Sequence, residues 1–309
     1  MATEPILASL ELPISGPRAT RSTLLSDYWA LTKPEVNFLI VITTFAGFYM
    51  GCAAGWHDFP LVRAINAVLG TLLVASGTGT LNQYIERRFD AQMRRTARRP
   101  LADGRLKPAA VLWFGIALSV AGSVYLAAAV NVLASVLALA TLLSYLFVYT
   151  PLKRKTPLCT LVGAFPGAMP PLIGWAAASG KLPFQAWILY AVLFLWQFPH
   201  FMAIAWMYRE DYARAGYRVL PSDSHSREYF VDLQTLLPLS ILALLSLSLA
   251  LTSHSGMSCL LGALLLSGGF LYYGLQFVVR RSNPAARRLL TASIIYLPAL
   301  FLLMLVARG

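Results

Sequence analysis

Asn82, Glu86 and Asp90 stand four and four apart at the end of an apolar run. On a helix of 3.6 residues per turn that spacing makes one stripe, drifting about 40° per step and covering about 12 Å. Two carboxylates and an amide are hard oxygen donors. Mg²⁺ favours such a set, taking one or two carboxylates and completing its shell with water and substrate phosphates. Arg94, Arg95, Arg98, Arg99, Arg105 and Lys107 follow directly, and arginine pairs with phosphate oxygens in planar, bidentate fashion. Carboxylates, metal and arginines at a membrane face describe a cradle for a diphosphate. The same residues also suit an interfacial helix held by i,i+4 pairs such as Asp90 with Arg94 and by positive-inside anchors. Polar residues toward the buried end of a span are costly and usually functional, which draws Asn82 and Glu86 toward the cradle.

A second polar group closes the sixth apolar segment, in the run Trp196-Gln197-Phe198-Pro199-His200-Phe201. Gln197 and His200 are i,i+3 neighbours in an otherwise apolar stretch, and Pro199 should loosen the local hydrogen-bond ladder. An intramembrane histidine is by default a functional residue, and imidazole is an ordinary partner of haem iron. A substrate-facing role is expected of His200; iron ligation stays open. Farther on, Tyr208 and Tyr212 sit four apart, with Arg209, Glu210 and Asp211 between them. Their phenol faces could stabilise a carbocation, and aromatics at this depth equally make ordinary interfacial belts.

The elements that must carry these groups are long and greasy. Nine apolar segments of spanning length run over residues 36–54, 62–82, 109–129, 131–149, 158–178, 184–206, 233–252, 256–279 and 289–307. Their length and lack of alternation predict helices, because transmembrane strands need only about 9–11 alternating residues. With the N-terminus inside, 22 of the 25 Lys and Arg residues fall on the inner side, and only Arg63, Lys181 and Arg308 fall outside. That split follows the positive-inside rule. It predicts a cytoplasmic N-terminus and an external C-terminus. The long inner loops over 83–108 and 207–232 are where the chemistry is expected, since long loops are uncommon unless functional.

Composition agrees. The 309 residues are 58% hydrophobic and 12% charged, against about 25% charged in soluble domains. An ordinary globular enzyme, a coiled coil and a disordered chain are excluded. The net charge of +12 needs no nucleic acid, because topology accounts for most of it, leaving anionic lipid and an anionic substrate. Cys52, Cys159 and Cys259 lie far apart in apolar stretches, which argues against a disulfide framework, zinc or an iron–sulfur cluster. Residues 1–27 read as a cytoplasmic tail. They carry Glu4, Glu11 and Asp27 with no long apolar core behind Arg18 or Arg21, so neither a signal peptide nor a transit peptide is expected. Residues 28–309 form a single transmembrane domain, and a bacterial inner membrane is the expected location.

Asn82-x-x-x-Glu86-x-x-x-Asp90 with Met93-Arg94-Arg95-Thr96 and Arg98-Arg99-Pro100-Leu101 resembles the first aspartate-rich motif of the UbiA-type intramembrane prenyltransferases. The branch that farnesylates haem is suggested by Tyr149-Thr150-Pro151-Leu152-Lys153-Arg154, Pro166-Gly167-Ala168, Pro170-Pro171-Leu172-Ile173-Gly174-Trp175, the Trp196–Phe201 run, and Arg209-Glu210-Asp211-Tyr212 through Ala215-Gly216. These pieces cover residues from about 28 to 221, and the last three spans match only in character.

The resemblance implies an all-α polytopic membrane protein, nine transmembrane helices around a central cavity. It implies transfer of a farnesyl group from farnesyl diphosphate to a vinyl group of haem b, with water capturing the cation to give haem O and diphosphate. Haem b is then a substrate and Mg²⁺ the cofactor. Carried across, Asn82, Glu86 and Asp90 hold Mg²⁺ and diphosphate. Arg94, Arg98, Lys153, Arg154 and Arg209 meet substrate anions, Gln197 and His200 face the porphyrin, and Tyr208, Asp211 and Tyr212 form the second motif. Farnesyl diphosphate, haem b and the bilayer are the implied partners, with a haem A synthase or terminal-oxidase assembly factors as further candidates. Two departures from the wider superfamily stand out: Glu86 replaces an aspartate, and tyrosines occupy the usual Asp-x-x-x-Asp positions of the second motif. Both put a second metal site in doubt. Rival readings are the same chemistry on a quinone precursor or chlorophyllide, an anion transporter, and a haem-handling protein that would leave Glu86 and Asp90 idle.

Overall fold

The computed structural model describes residues 23–53, 58–252 and 256–308. Most of the expected tail, with Arg18 and Arg21, lies outside the described residues. Residues 24–27 of that expected tail belong to a helix, α1 (Leu24–Leu31), because Thr23 caps it by accepting from the Ser26 amide at 3.2 Å. Asp27 is buried there and ion-paired with Arg105.

The described residues are helical with no strand. The helices are α2 (Pro34–Gly51), α3 (Leu61–Asp90), α4 (Pro108–Ala129), α5 (Val132–Leu143), α6 (Thr150–Leu152), α7 (Cys159–Gly167), α8 (Met169–Ser179), α9 (Phe184–Met207), α10 (Arg209–Arg214), α11 (Ser224–Thr252), α12 (Gly256–Arg280) and α13 (Asn283–Arg308). Proline begins α2 and α4, where its missing N–H is one of the orphan donors anyway. Asn131 caps α5 by accepting from the Ala134 amide at 2.8 Å. Gly180, at φ 68°, closes α8 in the left-handed conformation that glycine adopts without strain.

Eight stretches among the described residues are long and apolar enough to cross a membrane. They match eight of the nine expected spans. The remaining one, α2, has 18 residues and carries Glu35 and Asn37 near its start, which dilutes its apolar character although about 27 Å of helix nearly crosses a bilayer. Large apolar side chains such as Trp113, Phe147, Leu265 and Leu302 face outward, as a lipid-facing exterior requires.

Each long helix packs on the next in chain order, and α13 returns to α2, closing a ring. The α2 helix also crosses α8. That crossing is close: a Cβ on Gly174 would lie 1.9 Å from the Thr44 carbonyl oxygen, and one on Gly47 would lie 2.1 Å from that of Pro171. Small residues let helix backbones approach where lipid offers no hydrophobic drive.

Two irregularities matter for the site. The expected fifth span is broken at Ala168 into α7 and α8, where Pro166, Pro170 and Pro171 each withhold a backbone N–H. By contrast α9 runs through Pro199 without a break, so the rung that this proline removes loosens the ladder without ending the helix. Between α5 and α6, Ser144–Tyr149 winds as a π-helical turn. Thr150 Oγ1 donates back to the Tyr145 carbonyl at 2.9 Å within that turn, just before Pro151 removes a rung. Such turns widen a helix and re-aim its side chains, often at functional sites.

Candidate active site

The stripe on α3 is buried: Asn82, Glu86 and Asp90 are 1%, 6% and 1% exposed. Each member meets a cation or its neighbour. Lys33 Nζ donates to Asn82 Oδ1 at 2.9 Å, and Asn82 Nδ2 donates to Thr150 Oγ1 at 3.3 Å. Lys153 Nζ pairs with Glu86 Oε1 at 2.9 Å. Arg99 Nη1 reaches both Asp90 oxygens, at 2.9 and 2.8 Å. Lys33, Lys153 and Arg99 therefore converge on two carboxylates and an amide. In a place shielded from water, that set of donors suits an anionic guest, whose charge would draw the Lys33 amine to its protonated form.

The supporting elements explain the convergence. Lys33 is the elbow between α1 and α2, at φ 53°. The following proline disfavours the right-handed helical region there, and a left-handed non-glycine residue costs about 1–2 kcal/mol. The elbow is held by Gln83 Nε2 donating to the Leu31 carbonyl at 2.9 Å and by Asn37 Nδ2 donating to the Thr32 carbonyl at 2.8 Å. From the other side the π turn presents Tyr149, whose ring lies 4.7 Å from Lys153 Nζ. Arg218 N–H donates to the Lys153 carbonyl at 2.8 Å, tying the segment after α10 to the cradle.

Burial, with Arg99 and Lys153 beside it, pulls the Lys33 ammonium down to about 7. Burial pulls on Lys153 too, but Glu86 and the phenols of Tyr149 and Tyr145 more than offset it and hold that ammonium well above its ordinary value. Lys153 is thus a fixed cation. Burial, and then the Glu86 carboxylate, pushes the Tyr217 phenol up, so it stays protonated. Its hydroxyl is buried against the Glu86 carboxylate, which is its polar neighbour there.

The second motif joins the first through the arginine loop. The Arg95 backbone N–H donates to Asp211 Oδ2 at 3.2 Å, and Arg214 Nη1 donates to Asp211 Oδ1 at 3.0 Å. The Arg95 guanidinium lies over the rings of Tyr208 and Tyr212, 4.9 and 5.9 Å from their centres. Tyr208 sits at the break between α9 and α10, and the Tyr212 amide still donates to its carbonyl at 3.0 Å. Arg154 stacks on Phe89 at 4.2 Å, next to Asp90 in sequence.

The structure thus gathers Asn82, Glu86, Asp90 and Lys153, with Arg154, Tyr208, Asp211 and Tyr212 at the rim. Arg94 and Arg98 are exposed; the loop turns Arg99 to Asp90 and Arg95 to the tyrosines. Arg209 points elsewhere, donating to Asn283 Oδ1 on α13 at 3.0 Å and stacking on Trp206. Lys33, Tyr149 and Tyr217 were not singled out by spacing. Only the Lys-Pro step and the Tyr-Thr-Pro run hinted at unusual backbone there.

Gln197 and His200 sit higher on α9. Gln197 Nε2 donates to the Ala164 and Leu193 carbonyls at 3.1 and 3.2 Å, bracing the α7–α8 break. His200 stacks on Trp196 with ring centres 4.7 Å apart, and its Nδ1 lies 2.8 Å from Ser293 Oγ on α13. The Ser293 hydroxyl has one proton, and it goes to the Leu290 carbonyl at 2.6 Å. When Ser293 donates to Leu290, its Oγ accepts from the His200 Nδ1–H, and in that tautomer Nε2 is the ring's acceptor nitrogen.

Residues 40–304 match the UbiA prenyltransferase family. A protein named protoheme IX farnesyltransferase from Solibacter usitatus is 47% identical over 295 residues, covering 92% of this chain and 99% of that one. Among solved structures, a digeranylgeranylglyceryl phosphate synthase superposes with a TM-score of 0.71 at 18% identity, covering 92% of this chain and 98% of the other. A UbiA homolog from Archaeoglobus fulgidus bound to GPP and Mg²⁺ superposes at 0.61 and 16% identity, covering 90% and 99%.

Proposed function

Since this chain belongs to the UbiA prenyltransferase family and is an integral membrane protein, we propose that it transfers a farnesyl group from farnesyl diphosphate to a vinyl group of haem b. Water then captures the cation, giving haem O and diphosphate, on the way to haem A for terminal oxidases. The observation that carries the diphosphate half is the convergence of Lys33, Arg99 and Lys153 on Asn82, Asp90 and Glu86 in a buried cluster. The acceptor half rests on the relatives' name and on the placement of His200 inside α9, stacked on Trp196 and hydrogen-bonded to Ser293. The proposed setting is a bacterial inner membrane with the basic end of the bundle cytoplasmic.

The residues present fit a divalent metal that shares its shell with a substrate. Two carboxylates and an amide oxygen are hard donors, and among the described residues no three His, Cys, Asp or Glu side chains close a complete metal cage. Asn82, Glu86 and Asp90 would hold Mg²⁺, leaving positions for diphosphate oxygens. When bound, the metal neutralises charge that builds on the leaving diphosphate. Lys153 and Arg99, released from their carboxylates, would turn to that diphosphate. Their charge is in place before the C–O bond breaks, so little reorganisation opposes the reaction. Tyr217, whose phenol lies against Glu86, would donate its proton to a diphosphate oxygen once that carboxylate is taken up by metal. The rings of Tyr149, Tyr208 and Tyr212 would face the allylic cation and keep water away until the porphyrin carbon has reacted. Ser293 would keep His200 Nε2 free as a lone-pair donor for the haem iron or for the capturing water.

Mass spectrometry of haems extracted from cells that make haem b, with and without this chain, tests the proposal. Haem O is expected only with it. Haem b alone, from correctly inserted protein and with farnesyl diphosphate supplied, would overturn the acceptor assignment.

A further inference from the structure

Away from the cradle, a groove of about 540 Å³ lies between α12 and α13 at the basic end of the bundle. Tyr273, Thr291 and Ile295 form part of its walls, and Asn283, Arg287 and Arg288 line its polar end. The α12–α13 turn explains why the charge there is uncompensated. Arg281 takes the left-handed conformation at φ 43°, and its guanidinium pairs with Glu228 and Asp232 on α11. Those two carboxylates are thereby consumed. Arg280, Arg287 and Arg288 are exposed, and none of them is ion-paired among the described residues.

We propose that this groove binds an anionic phospholipid, its phosphate between Arg287 and Arg288 and an acyl chain along Ile295. Charge complementarity selects the occupant. A phosphate on a diacyl lipid offers oxygens to planar guanidinium groups and hydrocarbon to the apolar wall below. Basic pockets between transmembrane helices take acidic headgroups in this way. Plain positive-inside anchoring would need the arginines but neither the groove nor its one-sided apolar wall. Arg209, which reaches Asn283 from the start of α10 at 3.0 Å, links the groove's rim to the break at Tyr208, just past the helix that carries His200.

The test uses the purified full chain in detergent, loaded with equal phosphatidylglycerol and phosphatidylcholine of the same acyl composition. Native mass spectrometry then counts retained lipid. Wild type is expected to hold phosphatidylglycerol preferentially. The Arg287→Gln/Arg288→Gln variant should lose roughly tenfold or more of that preference, from two charges near a headgroup, while remaining monodisperse and still forming haem O. An Arg94→Gln/Arg98→Gln variant, which removes two exposed arginines elsewhere, should keep the preference. Equal retention of both lipids by wild type would overturn the proposal, as would an unchanged preference in the Arg287/Arg288 variant. Displacement of the lipid by millimolar inorganic phosphate would also overturn it, because the groove would then recognise phosphate and not the lipid.

Discussion

The pair between Glu86 and Lys153 can be taken apart in a way that separates its two roles. Both side chains are buried, 8% and 14% exposed, and their atoms lie 2.9 Å apart. Removing one partner strands a charge in a place water cannot reach, which costs about 3–5 kcal/mol for a buried pair. Here the lower end applies, because other groups share the burden. Lys33 and Arg99 stand in the same cluster for a stranded Glu86. Tyr145 and Tyr149 lie 6.0 and 4.7 Å from a stranded Lys153 Nζ. Glu86→Gln and Lys153→Met should therefore each destabilise by about 3 kcal/mol. The double variant replaces both charges by neutral groups of similar shape and should recover most of that loss. Activity should behave differently. In the proposed reaction the carboxylate and the ammonium would serve the diphosphate separately, so the double variant should be at least as impaired as either single one, about 10²–10³-fold in kcat. Thermal unfolding in detergent reads the first effect, and haem O formation at matched protein reads the second. Stability losses that simply add, within about 0.5 kcal/mol, would refute the pairing. Activity that returns with stability in the double variant would refute the separate roles.

Asp90→Ala should reduce haem O formation about 10²–10³-fold while immunoblots show normal insertion; near-normal turnover would remove Asp90 from the site. Arg99→Gln should cost at least tenfold more activity than Arg98→Gln, because only Arg99 reaches Asp90; equal effects in side-by-side turnover assays would contradict the loop geometry. His200→Ala should raise the KM for haem b more than that for farnesyl diphosphate, and Ser293→Ala should do the same more weakly by freeing the ring's tautomer; equal shifts in both KM values would argue against a porphyrin contact. Gly174→Val should abolish assembly, measured by size-exclusion yield, since even a Cβ would lie 1.9 Å from the Thr44 carbonyl oxygen; a well-folded variant would show that the α2–α8 crossing can relax.

Helix positions were legible because a bilayer imposes one length and one polarity on every span. The nine expected segments coincide with observed helices to within a few residues, apart from the basic ends. There α3 runs on to Asp90, and α11 and α13 begin earlier than the apolar runs do. Those extensions are polar, so hydropathy does not see them. The Asn82–Glu86–Asp90 stripe was legible from period alone. Its partners were not, because Lys33 and Lys153 come from remote segments and reach the stripe through backbone exceptions. One is a left-handed elbow before a proline, the other a π turn. Arg99 against Arg98 was a matter of loop twist over a few residues, which neither spacing nor the family motif resolves. Tyr217 carried no periodic signal, and its role depends on the Arg218–Lys153 hydrogen bond that folds its segment inward.

The closing of the ring by α13 has a consequence for the order in which the protein matures. Ribosomes deliver Lys33, Glu86, Asp90, Arg99 and Lys153 in the first half of the chain, so the cradle's charges can neutralise one another inside the membrane early. His200 emerges later, and its acceptor, Ser293, is on the last helix of all. Until α13 docks against α9 and α2, the imidazole has no partner to set its tautomer. A nascent or truncated chain would therefore present the charged core of the cradle with an imidazole whose hydrogen-bond partner has yet to arrive.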